Sequence, residues 1–205
     1  MSIIIHDENK VFYQGLNFLF SANVKRMINV STFKEVYDAS YAWKWDVLIS
    51  ELLTREGDLE FSLMQLHQIH LKFPYMKIIL LTEINDKSVL GVVRTMLPGV
   101  IILAKNEARE KIQQTVLTIK NNHEKFAIDI HSNSQLGKVG CLTPRELGMM
   151  KWFGAGISLT EIGKSFNLNP KTISHYRRSV YMKMKCKSEA QFARKLRYLG
   201  FSGQR

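Results

Sequence analysis

Two sets of residues have the types and spacing to do chemistry. The first is acidic, with one cation: Asp7 and Glu8, Glu51, Thr82 and Lys105 each end or directly follow a short apolar run. If those runs are parallel strands, their carboxyl ends converge on one working edge. Asp7, Glu8 and Glu51 would then offer three carboxylates, the donor set of a hard cation such as magnesium. The same acids and Lys105 would also satisfy one another as a structural ion network. The second set is basic. In Pro170–Met184, the residues Ile173, Tyr176, Val180 and Met184 recur at helical spacing and make a buried stripe. Lys171, Ser174, His175 and Arg178 fall on the opposite face. Such side chains can reach base edges in a major groove, and a guanidinium such as Arg178 matches the paired acceptors of guanine. Lys171, Thr172, Arg177 and Lys183 flank that face and suit phosphates. A solvated basic helix is the plain alternative. His175 has no second ligand at helical spacing, so a metal is not expected there.

The elements that must position the acidic set alternate strictly. Strands are predicted at Ile3–Ile5, Met27–Val30, Val47–Ser50, Lys77–Thr82 and Val100–Ala104, with amphipathic helices near residues 9–20, 33–42, 60–72, 86–96 and 107–121. Strands each followed by a helix read as an α/β domain over residues 1–121, with a five-stranded doubly wound parallel sheet. Residues 122–140 lose periodicity and gain Asn, Ser and Gly, the composition of a linker. Residues 141–205 carry four helix starts. Thr143-Pro144-Arg145-Glu146 and Ser158-Leu159-Thr160-Glu161 are capping boxes, Asn169-Pro170 opens a third helix, and Ser188 with Gln191 a fourth. The short turn Phe166-Asn167-Leu168-Asn169 makes the second and third helices a helix-turn-helix, whose later helix enters the major groove. The inner face of the fourth helix is Phe192, Leu196 and Leu199.

Charge divides the chain at the same place. Residues 141–205 hold 13 Lys and Arg against Glu146, Glu161 and Glu189, a net of +10 out of the chain's +11. A basic domain beside a nearly neutral one fits attraction to a phosphate backbone, with an anionic membrane surface as the competing reading. Two cysteines, Cys141 and Cys186, support neither a disulfide framework nor a Cys-based zinc site. No apolar run approaches the ~20 residues of a membrane span, and Met1–Lys10 does not read as a signal peptide. A cytoplasmic protein without a membrane partner is the expectation.

The motifs Leu142-Thr143-Pro144-Arg145-Glu146, Gly156-Ile157-Ser158, Glu161-Ile162 and Lys171-Thr172-Ile173 resemble the signature of LuxR-type helix-turn-helix domains. Ser174–Arg177 is similar to the Bvg and Rcs branch of the NarL/FixJ response regulators. The resemblance implies that Ser174, His175 and Arg178 face bases, and that the fourth helix, with Phe192, Leu196 and Leu199, is a dimer contact. Tyr176 departs from it, since many members carry histidine there. The amino-terminal half resembles a response-regulator receiver. In receivers an acidic pair holds magnesium, an aspartate takes a phosphoryl group, and a hydroxyl and a lysine contact that phosphate, which is catalysis by charge clamping. By that resemblance Asp7, Glu8, Thr82 and Lys105 occupy matching positions, but the acceptor position is Glu51. Its extra methylene misplaces the carboxylate for in-line attack. Glu83 stands where a small residue is usual, Ile102 where an aromatic switch is usual, and no proline follows in Leu52–Glu56.

A sequence-specific transcription regulator is therefore expected, binding double-stranded promoter DNA through its carboxyl-terminal domain and carrying a degenerate receiver that works without phosphorylation. Either Glu51 reaches Lys105 and Thr82 and imitates a phosphoaspartate, or the cluster is structural. The expected partners are a second copy or a related LuxR-type regulator, with RNA polymerase as a further candidate. A conventional phosphorylated regulator and a co-regulator acting mainly through heterodimers are the alternatives. A metal-dependent phosphatase lacks a nucleophile and base at suitable spacing, so no enzyme and no cofactor beyond the candidate magnesium is expected.

Overall fold

The computed structural model describes residues 1–22, 24–107, 109–121 and 140–202. Strand and helix alternate through the first part: β1 (Ser2–His6), α1 (Lys10–Phe20), β2 (Arg26–Val30), α2 (Phe33–Ala42), β3 (Val47–Ser50), α3 (Leu59–Lys72), β4 (Lys77–Thr82), α4 (Lys87–Met96), β5 (Ile101–Ala104) and α5 (Arg109–Asn121). All strand pairs are parallel, in the order β2-β1-β3-β4-β5. This is the flavodoxin-like order, whose switch point lies between β1 and β3. β3 and β4 have the predicted bounds, and the other strands differ by a residue at one or both ends. The linker expected at 122–140 lies outside the described residues except for Gly140.

Alternation along the strands sorts the core into two layers. Ile3, Ile5, Val47, Ile49, Ile79, Leu81 and Leu103 pack with Leu16 and Phe20 of α1 and with Ile112, Val116 and Ile119 of α5. Ile4, Leu48 and Leu80 face the other way, against α2, α3 and α4.

Four helices follow among the described residues: α6 (Pro144–Gly154), α7 (Leu159–Phe166), α8 (Pro170–Lys183) and α9 (Glu189–Tyr198). Thr143 with Glu146 and Ser158 with Glu161 form complete capping boxes. Asn169 and Ser188 cap α8 and α9. Each cap satisfies amide groups that the first helical turn leaves without partners. The turn between α7 and α8 is closed by Asn167 in the left-handed region, φ 51°, which Asn tolerates better than most residues. Gly163 makes that turn tight, because a Cβ there would stand 2.6 Å from the Leu168 carbonyl oxygen. Met149, Ile162 and Ile173 form the core of the helix-turn-helix, with Trp152, Phe166 and Tyr176 packed around them.

The two parts are docked on each other. The buried cluster under α2–α4 continues through Leu142, Leu147, Met150, Phe192, Leu196, Leu199 and Phe201. The Leu59 amide at the start of α3 donates to the Leu199 carbonyl at 3.0 Å, and the Leu142 amide to the Ser88 carbonyl at 3.1 Å. Lys195 Nζ lies 2.8 Å from Oδ2 of Asp86, the residue that caps α4, and Lys151 lies 3.3 Å from Glu60. Gly200 (φ +84°) lets the chain pass α3, where a Cβ would stand 2.8 Å from Asp58 Cα.

Candidate functional site

The acidic set is assembled by strand register. Asp7, Glu51 and Lys105 each lie one residue past a strand and continue its ladder: their amides donate to Val30, His6 and Thr82 respectively. Lys105 Nζ sits between Asp7 Oδ2 at 2.8 Å and Glu51 Oε2 at 2.7 Å. Burial lowers the pKa of this ammonium, but the two carboxylates outweigh it and hold the group above the usual lysine value. The remaining carboxylate oxygens are also spent. Asp7 Oδ1 accepts from the Asn9 amide, and Glu51 Oε1 accepts from the amides of Leu52 and Leu53.

Glu8 turns away from the other two acids. Its oxygens take the Arg55 amide and Nε, at 3.0 and 2.9 Å. The candidate magnesium set of Asp7, Glu8 and Glu51 is therefore corrected: an ammonium occupies the point where a cation would sit, and one of the three acids serves an arginine. No group of three metal-ligating side chains occurs among the described residues. Glu51 reaches Lys105, as one of the two expected arrangements requires, but the buried Thr82 hydroxyl accepts from the Ile84 amide at 3.3 Å. Ile102 is half-buried against the α2–α4 layer.

Beneath the cluster His6 is 1% exposed and packs against Phe33 with the rings tilted, 4.4 Å between centroids. Ser50 Oγ spends its proton on the Glu51 carbonyl. It therefore accepts from His6 Nδ1 at 2.9 Å, which leaves Nε2 unprotonated. Nε2 has no hydrogen-bond partner among the described residues and stands 3.8 Å from Glu56. Burial pushes the His6 pKa down to about 4 against the pull of Asp7, Glu8 and Glu35.

The basic set lies on α8. Lys171, Thr172, Ser174, His175 and Arg178 are exposed, while Ile173 and Val180 are buried on the inner side. The docked amino-terminal domain contacts α6 and α9 and leaves this face open. Two expected phosphate contacts are engaged elsewhere. Lys183 Nζ holds both oxygens of Glu146, at 2.8 and 2.7 Å, and the Glu146 side chain is only 4% exposed. Arg177 makes a two-pronged pair with Glu189 and lies over the Phe192 ring. Burial raises the Glu146 pKa, but Lys183, Ser179 and the Thr143 amide overcome this and hold it below the usual carboxylate range. The capping box announced Glu146 in the sequence, but its tie to Lys183 thirty-seven residues away had no local signal.

Phe192, Leu196 and Leu199 are each at most 2% exposed within the single chain. The expectation that they join two copies is corrected: they fill the seam between α9, α6 and the amino-terminal domain. The same helix carries residues that sequence reasoning missed. Lys195 bridges Asp86 and the Met184 carbonyl. Tyr198, on the same helix, has its phenol pKa pushed up by burial and then by Glu83 and Glu51.

Residues 141–196 match the family described as bacterial regulatory proteins, luxR family, so this segment is a LuxR-type domain. No curated protein sequence matches the chain. Among solved structures, RcsB of Salmonella enterica serovar Typhimurium, bound to promoter rprA with a phosphomimetic, is 22% identical, with 96% of this chain and 98% of that one covered at a TM-score of 0.65. A structure of two RcsB dimers bound to two parallel DNAs is 23% identical, 98% of each chain, at 0.61. Full-length FixJ from B. japonicum is 20% identical, 97% and 96%, at 0.50. These likenesses establish a receiver-like sheet followed by a helix-turn-helix domain.

Proposed function

We propose that this protein is a sequence-specific DNA-binding transcription regulator of the LuxR type, whose receiver-like domain works without phosphorylation. The observation that carries the DNA reading is the exposed face Lys171, Ser174, His175 and Arg178 on the second helix of the helix-turn-helix, in a domain of net charge +10. Such a helix N-terminal half meets base edges in known helix-turn-helix complexes. Independence from phosphorylation is supported by Glu51 at the acceptor position and by Lys105, which is already held by Asp7 and Glu51. That arrangement leaves neither a metal site nor a free ammonium for an incoming phosphoryl group.

RcsB, which has this shape, was seen bound to promoter DNA and as dimers on DNA. One helix-turn-helix reads too few base pairs to find its site among a genome of competitors, so two copies are required. Since the α9 stripe is buried, the dimer surface we favour is α1. Val11 and Phe18, 76% and 78% exposed, share a face there with Gly15. A related regulator could fill the same place, and RNA polymerase is a further partner of a promoter-bound protein. The protein would act in the cytoplasm of a bacterium. Fluorescence anisotropy of the full chain on duplexes with half-sites about one helical turn apart tests the reading. Arg178→Ala should weaken specific binding by ~1–3 kcal/mol, and Phe18→Glu should reduce paired-site but not single-site binding. Absence of any salt-dependent duplex affinity would refute it.

A further inference from the structure

The acidic cluster is one wall of a cavity of about 300 Å³. The other walls come from the loop after β3, with Leu53, Thr54, Arg55 and Gly57, and from the DNA-binding domain, with Arg197, Tyr198 and Gly200. Neither domain alone encloses it. Every carboxylate oxygen of Asp7, Glu8 and Glu51 already has a partner, as set out above. Lys105, Arg55 and Arg197 offset the charges of Asp7, Glu8 and Glu51, and Glu56 stands 3.8 Å from the lining His6.

What remains unspent is donor capacity. The Arg197 side chain is exposed and has no ion pair or hydrogen bond among the described residues, and the Arg55 guanidinium, 92% exposed, uses only its Nε on Glu8. Tyr198 adds a phenol. Two buried polar atoms of lining residues, His6 Nε2 and Thr54 Oγ1, have no hydrogen-bond partner among the described residues, although such groups are normally satisfied. Two guanidiniums at one cavity can hold an oxyanion between them by charge-assisted hydrogen bonds.

We propose that this cavity binds a small organic oxyanion, a phosphate ester or a carboxylate, held between Arg55 of the receiver-like domain and Arg197 of the DNA-binding domain. Its volume, at the lower end of ligand sites, takes a molecule of that size. A ligand bound to groups from both domains stabilises their docked arrangement by mass action. Such binding would give the protein a chemical input where phosphorylation is lost. The proposal does not depend on the DNA reading, because its test measures binding directly.

The test uses the full chain with glucose 6-phosphate, glycerol 3-phosphate, inorganic phosphate, citrate and gluconate as probes. Each is titrated by calorimetry and thermal shift at constant ionic strength. The expected result is saturable binding of at least one probe at millimolar concentration or below, weakened at least tenfold by Arg197→Ala and by Arg55→Ala. Arg194→Ala, an exposed neighbour on α9 outside the cavity, should leave it unchanged. Binding of the phosphates alone or of the carboxylates alone assigns the source of the oxyanion. No saturable binding by any probe, equal binding by the arginine variants, or a stabilisation that rises without saturating for every anion would overturn the proposal.

Discussion

Lys183→Ala separates what the sequence implies for this residue from what the fold does with it. On a helical wheel Lys183 flanks the base-reading face, so its loss should weaken DNA binding of every sequence. In the structure its ammonium is instead the main partner of Glu146, whose side chain is 4% exposed. Removing one member of a buried pair costs about 3–5 kcal/mol, because the other charge stays buried without compensation. Here the Lys183 side chain is 24% exposed. Glu146 also keeps the Ser179 hydroxyl and the Thr143 amide, so about 2–3 kcal/mol is expected. For a chain of this size unfolding as a unit, each kcal/mol lowers Tm by about 2–4 °C, giving roughly 4–12 °C by circular dichroism. The double variant with Glu146→Gln should recover part of the loss, since no charge is then stranded. Duplex affinity measured well below Tm should keep its salt dependence. An unchanged Tm, together with a salt slope reduced by about 1, would refute the reasoning. The pair also predicts acid sensitivity. The folded-state pKa of Glu146 is depressed, so its stabilisation is present above the ordinary carboxylate value and is lost as pH falls through the lower one.

Three further outcomes are expected. His6 has a folded-state pKa of about 4 against 6.5, so the unfolded chain binds more protons between those values and stability falls on acidification through that window. From pH 7 to 5 this amounts to about 2 kcal/mol, read from urea midpoints, and His6→Asn should flatten the slope; equal slopes would exclude His6 as the cause. Incubation with acetyl phosphate and magnesium should leave the intact mass unchanged, and Lys105→Ala should destabilise by about 3 kcal/mol by stranding Asp7 and Glu51; stoichiometric acyl phosphate on the natural chain would restore a conventional receiver. Leu199→Glu should unfold or undock the carboxyl-terminal domain, seen as faster proteolysis of the full chain, whereas a well-folded variant defective only on paired sites would restore α9 as the dimer contact.

Much of the fold was legible because its signals are local. The strands of the sheet are runs such as Val47–Ser50 and Lys77–Thr82, and the helix starts at Thr143, Ser158, Asn169 and Ser188 are side-chain caps within three residues of what they cap. Positions at strand ends were legible for the same reason, since a parallel sheet brings Asp7, Glu51, Thr82 and Lys105 to one edge. What each side chain does there was not. The magnesium reading failed because nothing in the spacing says that Lys105 will sit between Asp7 and Glu51, or that Glu8 will choose Arg55, forty-seven residues away. The stripe Phe192, Leu196 and Leu199 announces burial, but a hydrophobic pattern does not name its partner. Here the partner is the other domain of the same chain.

That seam bears on how the two halves communicate. In a sheet of this order the loops after the strands form the working edge, and the loop after β4 runs from the buried Thr82 through Glu83 to Asp86. Asp86 is a hub there: it caps α4 through Ser88 and takes the Lys195 ammonium from α9. Burial raises its pKa, yet Lys195 and Ser88 outweigh this and hold the carboxyl below its usual range. α9 in turn carries Tyr198 and Arg197 to the cavity and Leu199 to the start of α3. The one helix therefore touches the loop after β4, the cavity and α3, while the outer face of α8 remains open. A change at the strand ends thus has a short physical route to the DNA-binding domain through Asp86, Lys195 and the end of α9. Its effect would be on how tightly the domains stay docked, because Lys171, Ser174, His175 and Arg178 are already exposed in this arrangement.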